Sequence, residues 1–288
     1  MTTARAIVLA RGLGTRMRVS DPSARLTPAQ QRAADAGLKA MIPLNGRPFL
    51  DYILSSLADA GVQHVALVVA PAHAALRDYY SQSPPERTRL DYVVQDQPLG
   101  TADAVRAAES WVQGEPFLAL NADNLYPVPV LSELAALSEP ALPAFDPEDL
   151  VKSSNIPAER IRSFAFLDVD EGGNLAGIVE KPKEGLLPQQ VLPPKGGSHG
   201  TQTTGGIYGN AKFISMNCWR FDERIFQACR DVPLSARGEY ELPEAVGVAV
   251  RHGVRFRTFA ARGPVFDLST KSDTTDVSRR LVGTIPRP

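Results

Sequence analysis

The sequence predicts a Rossmann-like α/β fold, in which a mostly parallel mixed sheet is flanked by helices. Short apolar runs alternate with helix-length amphipathic segments up to about residue 140, and this alternation is typical of a parallel sheet wound through right-handed crossovers. Several runs are followed at once by glycine or carboxylate residues, as in α/β proteins that bind ligands. With 288 residues, of which 43% are hydrophobic, the chain is long enough to bury a large core.

The first half of the chain supplies the alternating elements. The predicted strands are 6–9, 64–70, 90–94 and 116–121, and the predicted helices lie within 47–60, 73–80 and 101–112. The apolar residues of the first helix share one face, namely Phe49, Leu50, Ile53, Leu54 and Leu57. Gly61 is placed to end that helix. Ligands bind beyond the carboxyl ends of such strands, so we expect the loops after Leu9, Val94 and Leu120 to share one edge.

Beyond residue 140 the alternation weakens. The proline-rich segment 140–160 predicts a connecting loop, 163–182 predicts a β-hairpin with its turn at 170–173, and 186–206 predicts a long loop. Further predictions are a strand or helix around 213–221, helices near Glu223 and Glu244, a strand over 254–259 and a short helix within 27–37. The chain is interpreted as one domain with two halves, 1–140 and 141–288.

The composition excludes several classes of protein. The formal net charge is −1, so no overall basic character favours nucleic acid. The two cysteines, Cys218 and Cys229, are too few for a disulfide framework, and neither they nor the four histidines show metal-ligand spacing. No run approaches about 18 apolar residues, and the N-terminus has no long apolar stretch. We therefore expect a cytoplasmic protein that binds neither nucleic acid nor membrane.

The first strand is followed by a glycine turn, "ARGLGTRM", at residues 10–17. Glycines let backbone N–H groups approach phosphate oxygens, because they lack a Cβ atom and reach positive φ angles. The P-loop spacing is absent, and the dinucleotide pattern G-x-G-x-x-G fails because Met17 occupies the third glycine position. A plain turn is the alternative. Arg16 favours a phosphate-binding loop, since its planar guanidinium suits phosphate oxygens.

Three more clusters fall on the same predicted edge. Lys39 precedes the first amphipathic helix, a second glycine turn, "QDQPLGTADAV", begins at Gln95, and Asp123 directly follows a strand. Taken alone, Lys39 is a surface lysine and Asp123 a turn carboxylate. A carboxylate just past a strand is also well placed to bind a metal ion. Four clusters on one edge favour a shared site over independent accidents.

In this order, the motifs resemble those of the sugar-1-phosphate nucleotidyltransferases, also called nucleoside-diphosphate-sugar pyrophosphorylases. "LARGLGTRM" and "LKAMIPLNGRPFLDYIL" are similar to the nucleotide signature, "QDQPLGTADAV" to the base-binding segment, "LNADNLYP" to the metal-aspartate segment, "VEKP" to the sugar-phosphate segment and "VFDLST" to the late aspartate segment. The resemblance covers most of the chain. It departs from the family at Arg11, where a small residue is common, at Leu38, where proline is common, and at Ala122, where glycine is common.

The resemblance implies a Mg²⁺-dependent enzyme in which a sugar-1-phosphate oxygen attacks the α-phosphorus of a nucleoside triphosphate and pyrophosphate leaves. It assigns catalytic roles to Arg16 and Lys39, nucleotide contacts to Leu9, Ala10, Gly12, Gly14, Thr15, Gln95, Gly100 and Thr101, sugar-phosphate contacts to Asn121, Glu180, Lys181 and Gly206, and Mg²⁺ binding to Asp123 and Asp267. The second half would form the smaller, sugar-binding part. The similarity to shorter members favours glucose-1-phosphate as acceptor, and a homo-oligomer is left open.

The chemistry of Gln95 indicates which base the nucleotide donor carries. Its amide offers one acceptor and two donors, which can pair with the imide N–H and a carbonyl of uracil or thymine. We therefore expect UTP or dTTP, without a choice between them. Guanine also carries a ring N–H beside a carbonyl and is excluded only by pocket size; a Gln95 that merely caps the turn is the alternative. Two other functions stay open, a non-catalytic regulator that binds nucleotide sugars and a nucleotidyltransferase that acts on a non-sugar phosphate.

Overall fold

A computed structural model describes residues 3–22, 24–180 and 213–288 of the chain. The loop predicted over 186–206 and two predicted sugar-phosphate residues, Lys181 and Gly206, lie outside the described residues. Within the described ranges, no helix combines the length and the hydropathy that crossing a bilayer requires.

The described residues form a mixed sheet and a set of flanking helices. The strands are β1 (Arg5–Leu9), β2 (Pro43–Leu44), β3 (Arg47–Pro48), β4 (His64–Val69), β5 (Arg89–Val94), β6 (Phe117–Asn121), β7 (Asn124–Leu125), β8 (Ala141–Phe145), β9 (Ala165–Val169), β10 (Leu175–Glu180), β11 (Phe213–Ser215), β12 (Cys218–Phe221), β13 (Arg257–Ala261) and β14 (Phe266–Asp267). The helices are α1 (Thr15–Arg18), α2 (Pro28–Asp35), α3 (Phe49–Asp59), α4 (Ala74–Gln82), α5 (Thr101–Ala107), α6 (Glu109–Val112), α7 (Val128–Ala136), α8 (Pro147–Ser153), α9 (Arg224–Asp231), α10 (Leu242–Arg251) and α11 (Lys271–Arg280), with short 3₁₀ helices at Lys39–Met41 and Ala158–Ser163.

The main sheet runs in the order β10-β9-β11-β8-β12-β6-β1-β4-β5, and β13 pairs with β8. Strands β6, β1, β4 and β5 are parallel to one another. Strand β12 is antiparallel to β6 on one side and to β8 on the other, so it joins the parallel part to the second-half strands. The predicted α/β class, a mixed Rossmann-like sheet flanked by helices, is confirmed.

Side chains alternate across the sheet and build one apolar core on each face. In β1, Ala6 and Val8 belong to one core and Ile7 to the other. Helices α3 and α7 contribute to the first core, and α5, α9 and α10 to the second. A strand covered on both faces needs apolar residues at every position, which explains the unbroken run "AIVL" in β1.

Several predicted elements are confirmed near their expected positions. Helix α3 buries all five residues of its predicted apolar face, and Gly61 follows it with a φ of +87°. Strands β9 and β10 form the predicted antiparallel hairpin. The short helix expected within 27–37 is α2, whose start is fixed by a capping box between Thr27 and Gln30.

The prediction of a loop over 140–160 is wrong. Strand β8 lies inside the sheet with every residue buried, and α8 follows it. The start of α8 is capped by Asp146, whose carboxylate accepts hydrogen bonds from the backbone N–H groups of Glu148 and Asp149 at 2.8 and 2.9 Å. The alanines and the proline of β8 have low strand propensity, and pairing with strands on both sides overrides that preference.

Three other predicted segments differ in detail. The helix expected over 101–112 is divided into α5 and α6 at Ala108, which has a ψ of −1°. The segment 213–221 forms two strands, β11 and β12, separated by Asn217 with a φ of +56°. The strand expected over 254–259 begins only at Arg257.

Helix α3 also carries a fully buried carboxylate, Asp51. It accepts hydrogen bonds from the hydroxyl groups of Tyr79 and Tyr80, each at 2.9 Å, and from Arg47 Nε at 2.6 Å. Burial raises the pKa of Tyr79 to about 12, so the phenol remains a donor at neutral pH. These bonds tie α4 to α3 and satisfy a charge that would otherwise be costly to bury.

Replacing Asp51 with alanine should lower the free energy of unfolding by about 2–4 kcal/mol, because two tyrosine hydroxyls and a guanidinium lose their shared acceptor. Urea unfolding measures the loss. The control is Asp59→Ala on the same helix, since Asp59 is half-exposed and pairs with a half-exposed Arg87; it should cost less than about 1 kcal/mol. Equal losses in the two variants would contradict a special role for Asp51.

Candidate active site

Strand β1 pairs in parallel with two neighbours, and this brings the loops after several strands to one edge of the sheet. Leu9, the last residue of β1, is in register with Asn121 of β6 and Val68 of β4. The ladder continues past the strand ends: Ala10 N donates to Val68 O at 2.9 Å, and Gln95 N donates to the last residue of β4, also at 2.9 Å. The three loops therefore begin side by side.

A cleft of about 300 Å³ opens at this edge, at the lower end of the roughly 300–1,000 Å³ usual for small-molecule sites. Residues assigned from the sequence that line it are Leu9, Ala10, Gly12, Gly14, Thr15, Lys39, Gln95, Gly100, Thr101, Asn121 and Asp123. They come from four separate stretches of the chain, each of which follows a strand or leads into a helix.

The other described residues assigned from the sequence are not part of this lining. Arg16 is exposed on α1. Asp267 is buried at the end of β14, and Glu180 is half-buried at the end of β10.

The glycine loop is shaped by a close approach between two backbone segments. Gly14 has a φ of +61°, and a Cβ atom on it would lie 2.5 Å from the carbonyl oxygen of Gly37. Only glycine fits there. Gly12 differs, because a Cβ on it would meet nothing within 4 Å. The loop thus holds its shape through Gly14 and leaves open space at Gly12.

Lys39 and Asp123 form an ion pair inside the cleft. Lys39 Nζ lies 2.9 Å from Asp123 Oδ2, and the two side chains are 16% and 26% exposed. Lys39 is delivered by the 3₁₀ helix that follows α2, whereas Asp123 comes just after β6. Eighty-four positions separate them in sequence, so the fold alone creates this pair.

Asp267 is held beside Asp123 by a second small sheet. In that sheet β14 pairs with β7, which puts Asp267 opposite Asn124, and the next backbone N–H donates to Asp123 O at 2.9 Å. The carboxylate of Asp267 accepts hydrogen bonds from Arg160 at 2.9 Å and from Ser269 at 3.1 Å. Burial raises the pKa of Asp267 to about 6, and the negative charge of Asp123 acts in the same direction.

Arg160 supports the candidate site and was not predicted from the sequence. It bridges Asp267 and Asp273, with Nη1 2.9 and 3.0 Å from their oxygens. Burial lowers the pKa of Arg160, but the two carboxylates outweigh it and raise the pKa overall. Arg160 lies in the segment predicted as a loop, and its partners are more than 100 positions away. No local pattern could have identified it.

The donor chemistry around Asp123 and Asp267 fits Mg²⁺. Both side chains offer hard oxygen ligands, and Mg²⁺ in phosphate-transfer sites is commonly held by one or two carboxylates together with substrate oxygens. In the part of the chain that the structure describes, no group of three or more acidic, histidine or cysteine side chains is arranged to hold a metal ion. A metal at this place would therefore depend on oxygens from a bound phosphate.

The second glycine turn begins beside Gln95, whose side chain is almost fully buried. Its Nε2 donates to Gly100 O at 3.0 Å and to Asp103 Oδ2 at 2.8 Å. Gly100 has a φ of +109°, and a Cβ on it would lie 2.4 Å from Tyr240 O. The hydroxyl of Thr101 accepts a hydrogen bond from Leu242 N at 2.8 Å. The turn is thus packed closely against the segment that leads into α10.

Two further residues line the cleft, and the sequence did not identify either of them as a site residue. Arg11, noted only as a departure from the family, donates through Nε to Gln95 O at 2.9 Å and through Nη2 to Asp96 O at 3.1 Å. His73 also lines the cleft, and its Nδ1 is buried with no hydrogen-bond partner among the described residues. Burial and the nearby Arg11 lower the pKa of His73, which keeps its ring neutral at pH 7.

Comparison of the sequence identifies a family and several relatives. A profile of the family described as nucleotidyl transferase matches residues 5–281. The UTP–glucose-1-phosphate uridylyltransferase AglF of Haloferax volcanii is 23% identical over 96% of this chain and 96% of its own length. The bifunctional protein GlmU of Methanococcus maripaludis is 23% identical over 86% of this chain but 47% of its own length. The chain spans about half the length of several such bifunctional relatives.

Comparison with solved structures identifies a protein of the same fold. A crystal structure of a UDP-glucose pyrophosphorylase complexed with UDP-glucose superposes with a TM-score of 0.73 and 17% sequence identity, and the match covers 99% of this chain and 100% of that one. The two chains therefore share the same fold.

The two glycines of the first loop should respond differently to alanine. Gly14→Ala should lower the free energy of unfolding by about 2–4 kcal/mol, because the new Cβ meets backbone atoms and the residue has a positive φ. Gly12→Ala should change it by less than about 1 kcal/mol, since its surroundings are open. Thermal and urea unfolding of both variants measure this. If Gly14→Ala were as stable as the parent, the proposed close approach to Gly37 would be wrong.

Proposed function

The chain belongs to the nucleotidyl transferase family, and we propose that it transfers a nucleotidyl group from UTP or dTTP to a sugar-1-phosphate, with release of pyrophosphate. The observation that carries the proposal is the single cleft in which the glycine loop, Lys39, the Gln95–Gly100 turn and Asp123 meet. Such a cleft gathers the cations and the oxygen ligands that two phosphate-bearing substrates require. Glucose-1-phosphate is the proposed acceptor, supported by the name of the full-length relative AglF.

The glycine loop would bind the triphosphate. Open space at Gly12 lets phosphate oxygens approach the backbone N–H groups, and the rigid turn at Gly14 fixes their direction. Arg16 stands exposed on the next helix, where its guanidinium can fold over the leaving pyrophosphate. Leu9, Ala10 and Thr15 complete this wall of the cleft.

The reaction exchanges one bond at the α-phosphorus. An oxygen of the sugar-1-phosphate forms a bond to that phosphorus, the bond to the bridging oxygen breaks, and its electron pair leaves with pyrophosphate. Lys39 can donate to the phosphate oxygens from its place beside Asp123, so it offsets charge as the substrates approach each other. Arg16 would offset the charge that develops on the leaving group.

Asp123 and Asp267 would hold Mg²⁺, which when bound neutralises phosphate charge and orients the reacting groups. Neighbouring groups of the chain orient these two carboxylates. Arg160 and Ser269 orient the Asp267 carboxylate, and the backbone bond between Asp123 O and the residue after Asp267 keeps the two aspartates adjacent.

The acceptor side draws on both halves of the chain. Asn121 lines the cleft at the end of β6, and Glu180 ends the β9–β10 hairpin. We assign Asn121 and Glu180 to sugar hydroxyls, and we assign the sugar phosphate to Lys181 and Gly206, which lie outside the described residues. Because nucleoside triphosphates and sugar phosphates are cytoplasmic metabolites, a cytoplasmic location is part of the proposal.

A matrix of five nucleoside triphosphates against several sugar-1-phosphates tests the function. Pyrophosphate release and the nucleotide-sugar product are both measured, and excess chelator followed by Mg²⁺ should abolish and then restore turnover. Products from UTP or dTTP support the proposal. Binding of a nucleotide sugar without turnover in any combination would favour the regulator instead, and products only from non-sugar phosphates would favour the other transferase.

Asp123→Asn and Asp267→Asn should each reduce kcat by roughly 10²-fold or more, because each removes a charge that the metal needs while keeping side-chain size. Steady-state kinetics at saturating Mg²⁺ provides the measurement, with the melting temperature recorded for each variant. Asp276→Asn is the control, since Asp276 lies on α11 in surface ion pairs with Arg279 and Arg280. Folded variants with unchanged kcat would remove these aspartates from the metal site.

A further inference from the structure

We propose that Asp103 is a positioning residue for base selection, because it fixes the amide of Gln95 so that Oε1 accepts a hydrogen bond from the base. This inference rests on the proposed function and deepens it. Asp103 belongs to the first turn of α5 and is not among the residues that line the cleft. It would act on the nucleotide only through Gln95.

The orientation of the Gln95 amide is set by two acceptors. Nε2 donates to Gly100 O at 3.0 Å and to Asp103 Oδ2 at 2.8 Å. Neither group has a proton to offer, since one is a carbonyl and the other is a carboxylate whose Oδ1 pairs with Arg106 at 2.6 Å. Gln95 is 3% exposed and Asp103 8%. Rotation of the amide would set its oxygen against a buried carboxylate, which is strongly unfavourable.

Oε1 is consequently the polar atom that Gln95 can offer to a ligand. Both amide protons are used within the protein, and no described residue donates a hydrogen bond to Oε1. The N–H of Gly100, on the same wall of the cleft, likewise has no acceptor within the described ranges. Gln95 can therefore offer an acceptor, and the backbone of Gly100 a donor, to a base bound in the cleft.

That pair complements the imide edge of uracil or thymine, which offers a ring N–H next to a carbonyl. Cytosine N3 and adenine N1 are unprotonated at neutral pH, so either would set a lone pair against Oε1. A buried polar group that a competing ligand leaves unpaired gives strong discrimination. Guanine has a similar edge, so the volume of the cleft must exclude it.

Backbone contacts on two sides hold Gln95 and Asp103 in place. Arg11 binds the backbone carbonyls of Gln95 and Asp96, which prevents the end of β5 from shifting. On the other side, Ala102 N donates to Tyr240 O at 2.9 Å, which anchors the start of α5. Asp103 and Gln95 are thus held from two directions.

The first experiment uses the parent protein and measures the binding and kcat/KM of UTP, dTTP, CTP and N3-methyl-UTP. N3-methyl-UTP keeps both carbonyls of uracil and loses only the imide proton. We expect CTP and N3-methyl-UTP to be poorer than UTP by roughly 10²-fold, as for a buried acceptor left unpaired. Binding of N3-methyl-UTP within threefold of UTP would overturn the acceptor role of Gln95, and with it the role of Asp103.

The second experiment uses Asp103→Asn, whose amide can turn a donor towards Gln95 and release its orientation. The ratio of kcat/KM for UTP to kcat/KM for CTP should fall about tenfold, partly because kcat/KM for CTP rises. The fall is limited because Gly100 O still favours the original orientation of the Gln95 amide. The control is Glu109→Gln at the start of the next helix, α6, which removes a carboxylate from a surface ion pair with Arg230 of α9. Its UTP/CTP ratio should match that of the parent. If Asp103→Asn does not fold, Asp103→Ser, with a hydroxyl that can donate, replaces it.

A uniform loss for all nucleotides, with an unchanged ratio, would show that Asp103 only supports the fold and would overturn the inference. The same data separate this failure from a failure of the function. A parent protein that prefers UTP or dTTP, with a variant that keeps full discrimination, overturns the inference alone. A parent that makes no nucleotide sugar, or prefers CTP or ATP, overturns the proposed donor as well.

Discussion

The parallel hydrogen bonding of β1 to β4 and β6 sets where most of the chemical groups of the cleft lie. Because these strands are parallel and in register up to Leu9, Val68 and Asn121, the loops that follow them begin at the same edge of the sheet. The glycine loop, the Gln95 turn and Asp123 then start at the ends of β1, β5 and β6, along the same edge of the sheet. The closest contacts, such as Gly14 against Gly37 and Gly100 against Tyr240, refine this arrangement but do not create it.

Charge is balanced at the site before any substrate binds. Asp123 is paired with Lys39, and Asp267 with Arg160, so neither carboxylate is left uncompensated in a partly buried region. The two pairs differ in access, because the Lys39 pair lines the cleft while the Arg160 pair is buried beside it. In the proposed reaction a phosphate would draw Lys39 towards itself, whereas Arg160 would continue to support the second aspartate.

The sequence predicts those features that depend on short-range patterns. Glycine and carboxylate residues placed directly after apolar strands reveal the Gly12–Gly14 loop and Asp123, and the period of apolar residues identifies α3. Strand β8 escapes prediction because its position between paired strands, rather than its own propensity, makes it a strand. Arg160 escapes prediction because only the folded chain brings it near its partners, which lie more than 100 positions away. Asp103 lies within the predicted base-binding segment, but its contact with the Gln95 amide is visible only in the structure.

The insertion of β12 between β6 and β8 also bears on how the chain folds. Strand β12, from the second half of the chain, covers the edge of β6 that the first half alone would leave with unpaired backbone groups. A fragment that ended near residue 140 would expose this apolar edge to other copies, which invites aggregation. Because β6 and β12 share a ladder, loss of either half removes hydrogen bonds from the other. The two halves should therefore unfold in one cooperative transition, even though the cleft draws most of its known lining from the first.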